Sequence, residues 1–167
     1  MSTSFEMPEL DVLTTGTVGP PGERVFFVQA RHGVDVVSLR LEKQQVAAMA
    51  DYLGGLLQEL PPADDAVRPA EAELELAEPV VAEWVVGSLA VAYDGENDRL
   101  VIVAEELVEE GEDGADARLR ATREQVAAFV ERAREVVAAG RPPCQWCGLP
   151  LNAEGHVCPK TNGHRTR

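Results

Sequence analysis

Two stretches eighty residues apart, LRLEKQQVAA at 39–48 and LRATREQVAA at 119–128, agree at six of ten positions. A segment recurring at such a spacing implies a chain assembled from two similar units, which restricts the possible folds more than any single motif does. Each copy opens an amphipathic helix. In the first, Val46, Ala50, Leu53, Leu57 and Leu60 fall on one stripe. In the second, Val126, Val130, Ala133 and Val137 do so, with Phe129 and Val136 beside them. Thr122 and Gln125 have capping-box spacing at the second helix start. Pro61-Pro62 stops the first helix, because proline has no N–H to give; Gly140, with Pro142-Pro143 beyond, stops the second.

Comparable strands precede each helix. RVFFVQA (24–30) and RLVIVAE (99–105) are rich in β-branched and aromatic residues, and each follows a turn, GPPGE or DGEND. DVLTTGTV and EWVVGSLAVAY lie before those turns, and VDVVSLRL and ARLRA run into the helices. Each half therefore reads β-β-β-α, at 10–60 and 80–140, and the reading is an internal duplication. Hairpin-linked strands pair antiparallel, so the expected fold class is α+β: one antiparallel sheet of about six strands, covered on one face by two helices. Residues 1–140 form this duplicated body and 141–167 a separate zinc-binding tail. Between the halves, 61–79 is rich in Pro, Ala and acid and reads as a linker or surface loop. The acidic run EELVEEGEDGAD (105–116) lacks the spacing of a calcium loop and reads as solvated hairpin.

Charge narrows the function classes. The net charge is −14; from Gly140 onward four bases and one acid give +3, so the rest carries −14 − 3 = −17. An acidic body repels phosphate backbones, and nucleic acid is an unfavoured partner. No apolar run is long enough to span a membrane, and the start MSTSFEMPELD has neither a basic nor an apolar leader region, so the expected location is the cytoplasm.

All three cysteines and two of the three histidines fall in CQWCGLPLNAEGHVCPKTNGH, 144–164. Cys144 and Cys147 form a C-x₂-C grip, with Gly148 permitting a tight turn beneath the sulfurs. His156 and Cys158, two apart, share a face if extended and complete a Cys₃His set, a recognised structural zinc combination. His164 is an alternative ligand to His156. Against this reading stand a frayed tail with incidental cysteines and a thioredoxin-like redox pair, which fits poorly after two prolines. Four protein ligands close a site, whereas catalytic zinc keeps a position open for water. Trp146, between the ligands, and Arg165 and Arg167, at the end, are candidate partner contacts.

Catalytic candidates are few. His32 in ARHGVD reads as a hairpin-turn residue, Asp94 and Asp98 flank a turn, and Ser38 and Ser88 lack a His/Asp pattern. Arg31, His32, Arg40 and Arg120 are candidate anion-binding groups at a seam between the halves. Arg40 and Arg120 hold equivalent repeat positions.

The stretches GTVGPPGERVFFVQAR, LEKQQVA, EWVVGSLAVAYD, RLVIVAEE and AAGRPPCQWCGLPLNAEGHVCPKTNGHR resemble an actinobacterial conserved family of unknown function, domain-of-unknown-function family 3090. The likeness covers nearly the whole length. It implies that Cys144, Cys147, His156 and Cys158 are a recurring signature, and that an aromatic residue typically stands where this chain has His164. It also implies that members are encoded beside a histidine-phosphatase-like and a lipid-kinase-like protein, hence a protein partner and a phosphate-related process. The function expected is a non-enzymatic adaptor or accessory protein docking a partner through a zinc knuckle. The alternative is an enzyme acting on a small anionic or phosphorylated substrate at the seam.

Overall fold

The computed structural model describes residues 2–20, 22–61 and 69–139, and the backbone of 156–157 and 165–166. The chain is mixed α+β with two helices, α1 (Lys43–Glu59) and α2 (Arg123–Ala138). Its body strands are β1 (Phe5–Met7), β2 (Val12–Val18), β3 (Val25–His32), β4 (Asp35–Leu41), β5 (Val86–Asp94), β6 (Arg99–Glu106) and β7 (Asp116–Ala121). Each helix follows three antiparallel strands, β2-β3-β4 before α1 and β5-β6-β7 before α2.

The single six-stranded sheet expected from the hairpins is replaced by two sheets, one ordered β2-β3-β4 and the other β1-β7-β6-β5. Among the described residues their backbones meet where Glu83–Val85 runs parallel to β4. There Glu83 N donates to Ser38 O at 2.8 Å, Arg40 N donates to Trp84 O at 3.2 Å, and Arg40 bridges Val85. Immediately beyond, the β5–β6 register slips between Val86 and Ser88, an irregularity of the kind that bends a strand. The additional strand is β1, whose Phe5, Glu6 and Met7 pair parallel with Ala117, Arg118 and Leu119. Such a pairing leaves no turn signal in the sequence, because more than a hundred residues separate its partners.

The repeated Q-V-A-A segment has a physical cause. Gln45 Oε1 accepts from Glu42 N at 2.7 Å, and Gln125 Oε1 accepts from Thr122 N at 2.9 Å, so each glutamine occupies an orphan donor of its own helix start. Each amide nitrogen then reaches the other half: Gln45 Nε2 donates to Val86 O at 3.2 Å and Gln125 Nε2 to Leu10 O at 2.5 Å. Val46 and Val126 follow, both wholly buried, and Leu39 and Leu119 are buried at the strand positions of the repeat.

The helices pack antiparallel, with Gly54 of α1 against Val130 and Arg134 of α2 and the Arg123 guanidinium donating to Pro61 O beyond the end of α1. Phe129, Val126, Val46 and Leu53 join Leu13, Leu39, Leu100, Ile102 and Leu119 in one core beneath both helices. Arg24 Nη2 donates to Val136 O at 3.1 Å and Ala139 O at 2.6 Å, placing a cation on the carbonyl end of α2.

Residues 69–79, the described end of the segment 61–79 expected as linker or surface loop, lie across the back of the first sheet and include a 3₁₀ turn, Glu71–Leu74. Strand β2 is thereby buried on both faces: Thr14 Oγ1 donates to Leu74 O, and Gly16 faces Leu76. Gln29, fully buried, donates to Ala77 O at 3.2 Å and accepts from Ala77 N at 2.8 Å. A buried amide bound on both sides holds its neighbour's backbone far more firmly than an apolar contact would.

Candidate functional site

In the tail, β8 (His156–Val157) pairs antiparallel with β9 (Arg165–Thr166), His156 opposite Thr166 and Val157 opposite Arg165. Cys144, Trp146, Cys147, Cys158, His164 and Arg167, and the side chains of His156 and Arg165, lie outside the described residues. Among the described residues no three His, Cys, Asp or Glu side chains gather as a metal site. The donor set in the tail, three thiols and two imidazoles, has the chemistry of a zinc site: thiolate and imidazole ligands favour this borderline-soft ion over calcium or magnesium.

The four candidate anion-binding residues do not converge. Arg31 turns to the back of its sheet, where its guanidinium donates to Glu73 O and, at 3.4 Å, to Glu75 O. His32 closes the β3–β4 hairpin; its Nδ1 stands 3.8 Å from an Asp11 carboxylate oxygen whose partner oxygen accepts from Gly33 N at 2.7 Å. Arg40 is exposed beside Val85. Arg120 stands opposite Val101, which pairs with Ala92, seven positions along β5 from Val85. At about 3.3 Å per residue, Arg40 and Arg120 are therefore roughly 20 Å apart along the strands.

Arg120 is engaged. Its Nη1 donates to Asp94 Oδ2 at 2.7 Å, and that carboxylate also accepts from Asn97 Nδ2 at 2.8 Å. The Asn97 side chain, then Arg120, hold the Asp94 pKa down from the ordinary 3.8 to about 2. Beside it, Asp98 takes a left-handed conformation with φ 51° and accepts from Tyr93 OH and Arg123 Nε, each at 2.7 Å. The Tyr93 hydroxyl, then Arg123, lower the Asp98 pKa, and Asp98 and Tyr93 raise that of Arg123. The Arg123 guanidinium also stacks 5.6 Å from the centre of the Tyr93 ring.

This cluster ties the β5–β6 turn to the start of α2 and the end of α1. Asp94 and Asp98 were legible in the sequence as turn carboxylates, but Tyr93 and Arg123 were not, since nothing local shows that α2 begins beside that hairpin. Its carboxylates are bound by protein groups, Asp94 by Arg120 and Asn97 and Asp98 by Tyr93 and Arg123. Its chemistry is that of a staple: both carboxylates are held on the ionised side, away from the range of a general acid or base at neutral pH.

Among the described residues, open grooves flank the helices. One, of about 580 Å³, lies between the 3₁₀ turn and α2 and is rimmed by Glu71, Glu75, Glu131 and Glu135 with Arg132. Another, of about 450 Å³, runs between α1 and β5 over Met49, Leu89 and Val91.

No curated protein and no solved structure matches this chain. The model of a family described as protein of unknown function, DUF3090, matches residues 5–158, every described element from β1 to β8. The chain belongs to that family.

Proposed function

We propose that the protein is a non-enzymatic, zinc-binding adaptor of the cytoplasm that docks a protein partner through its C-terminal tail. Cys144, Cys147, His156 and Cys158 are the ligands, with His164 as the alternative histidine. Trp146, Arg165 and Arg167 are the contact residues beside them. The two β-β-β-α halves are a scaffold that arose by internal duplication. The resemblance given above makes the process actinobacterial and phosphate-related, with a histidine-phosphatase-like or lipid-kinase-like protein as partner. The observation that carries the reading is the concentration of every cysteine of the chain into C-x₂-C and H-x-C within fifteen residues. A closed set of four ligands stabilises a fold and leaves no position for a reacting water. The residues from 140 onward sum to +3 against −17 for the rest, a charge contrast that suits such a contact. The alternative is an enzyme acting on a small anionic or phosphorylated substrate at the seam, of whose candidate arginines Arg120 is bound by Asp94 and Arg31 by the backbone of 73–75.

The test is metal content by mass spectrometry on untagged protein. One zinc per chain is expected, lost in Cys144→Ser and in His156→Ala. A metal-free wild type, or one whose zinc survives both substitutions, rules the site out.

A further inference from the structure

We propose that a second copy of this chain binds at the open edge of β5, about a two-fold axis through Ala90. The other sheet edges are dealt with within the molecule. β2 lies under α2, whose Arg132 Nε donates to Thr15 O at 3.2 Å; β4 is met by Glu83–Val85; and β1 is only three residues long. Past the Val85 bridge, β5 ends its sheet with no strand beside it among the described residues. Exposed edges normally carry lysine, proline or an inward charge against pairing with another chain. Residues 88–92 here read SLAVA, with none of these.

The edge is suited to its own copy. Leu89 and Val91 face the helices, while Ser88, Ala90 and Ala92 face the outer side. Antiparallel partners must share a face, so a two-fold axis has to pass through a residue and not between two. At Ala90 it sets Leu89 against the second copy's Val91 and Ser88 against its Ala92, large with large and small with small. It also brings the two α1 helices together antiparallel above the joined strands. Tyr52, 69% exposed and lining the same groove as Leu89 and Val91, then meets its own counterpart. Lys43, beside the N-cap Glu42, lies nine residues before Tyr52 and Glu59 seven after it, so the start of each helix faces the Glu59 end of the other with the helix dipoles opposed, and Asp51 stands next to Tyr52. Long-range repulsion between two acidic bodies is screened beyond about 8 Å at physiological salt.

The test is sedimentation equilibrium of the full chain at physiological salt, over a wide concentration range, for wild type, Ala90→Lys and Ala90→Glu. Ala90 points to the outer face, so both variants keep the fold, which circular dichroism checks. Twice the monomer mass is expected for wild type. Each variant alone is expected to be monomeric, because like charges meet on the axis. An equal mixture of the two is expected to recover the dimer, the lysine of one copy facing the glutamate of the other. A wild type that stays monomeric at every concentration overturns the proposal and leaves the edge to a strand from another protein. A dimer indifferent to both substitutions, or a mixture that stays monomeric, overturns the axis.

Discussion

Two glycines show how differently one residue type can be held. A Cβ on Gly87 would lie 2.9 Å from Leu107 Cα and 3.2 Å from Leu107 N, and backbone cannot retreat. A Cβ on Gly54 would lie 3.0 Å from Arg134 Nη2, the far end of a flexible side chain, and 3.6 Å from Val130. Gly87→Ala should therefore destabilise by about 1–3 kcal/mol as an overpacked site. Gly54→Ala should be neutral or stabilise by up to about 1 kcal/mol, since alanine suits a helix interior better than glycine. Urea unfolding of the two variants checks both signs. The sequence shows two glycines and nothing of this contrast, because Leu107 and Arg134 are distant in the chain.

At the scale of the element, the repeated glutamines join local and long-range structure. Gln125 caps α2 and also binds Leu10 O, which fixes the chain just before β2. Gln125→Ala should remove the cap and the bonds to Leu10 O and Asp11 O at a cost of about 1–2 kcal/mol. Gln125→Glu keeps an acceptor for Thr122 N but sets a carboxylate against Leu10 O, so it should retain the cap and lose the tie. Equilibrium unfolding of both, with backbone exchange read at Leu10–Leu13 and at the start of α2, separates the two roles. Exchange should rise at both places in the alanine variant and only near Leu10 in the glutamate variant. The cap at α2 was legible from Thr122 and Gln125 alone, because capping spans three residues. The bond from one half to the other was not, although the identity of Gln45 and Gln125 was its trace.

For the whole molecule the decisive groups are the carboxylates that join distant parts. Asp94 and Asp98 tie the β5–β6 turn to β7 and α2. Glu106, held by the Ala115 N–H and the Ser2 hydroxyl, ties β6 to the N-terminal segment. All three have pKa values lowered by folding, so each contributes stability that is present above the ordinary carboxylate range and lost as pH falls through the folded value. For Asp94 that window runs from 3.8 down to about 2. Asp94→Asn should be less stable than wild type at pH 7, and the gap should close as the pH approaches 2; urea unfolding at pH 7, 4 and 2.5 measures it. What the sequence by itself determined are the features that act over a few residues: two amphipathic helices with their stops, the β-β-β-α order of each half, and a cluster of soft ligands set apart from the body. Only the tertiary structure decided the split into two sheets, the parallel docking of β1 on β7, the path of 69–79 across buried Gln29, the separate fates of Arg40 and Arg120, and the open edge of β5. Periodicity and capping are short-range free energies written along the chain, whereas these pairings depend on which distant residues meet once the core has closed.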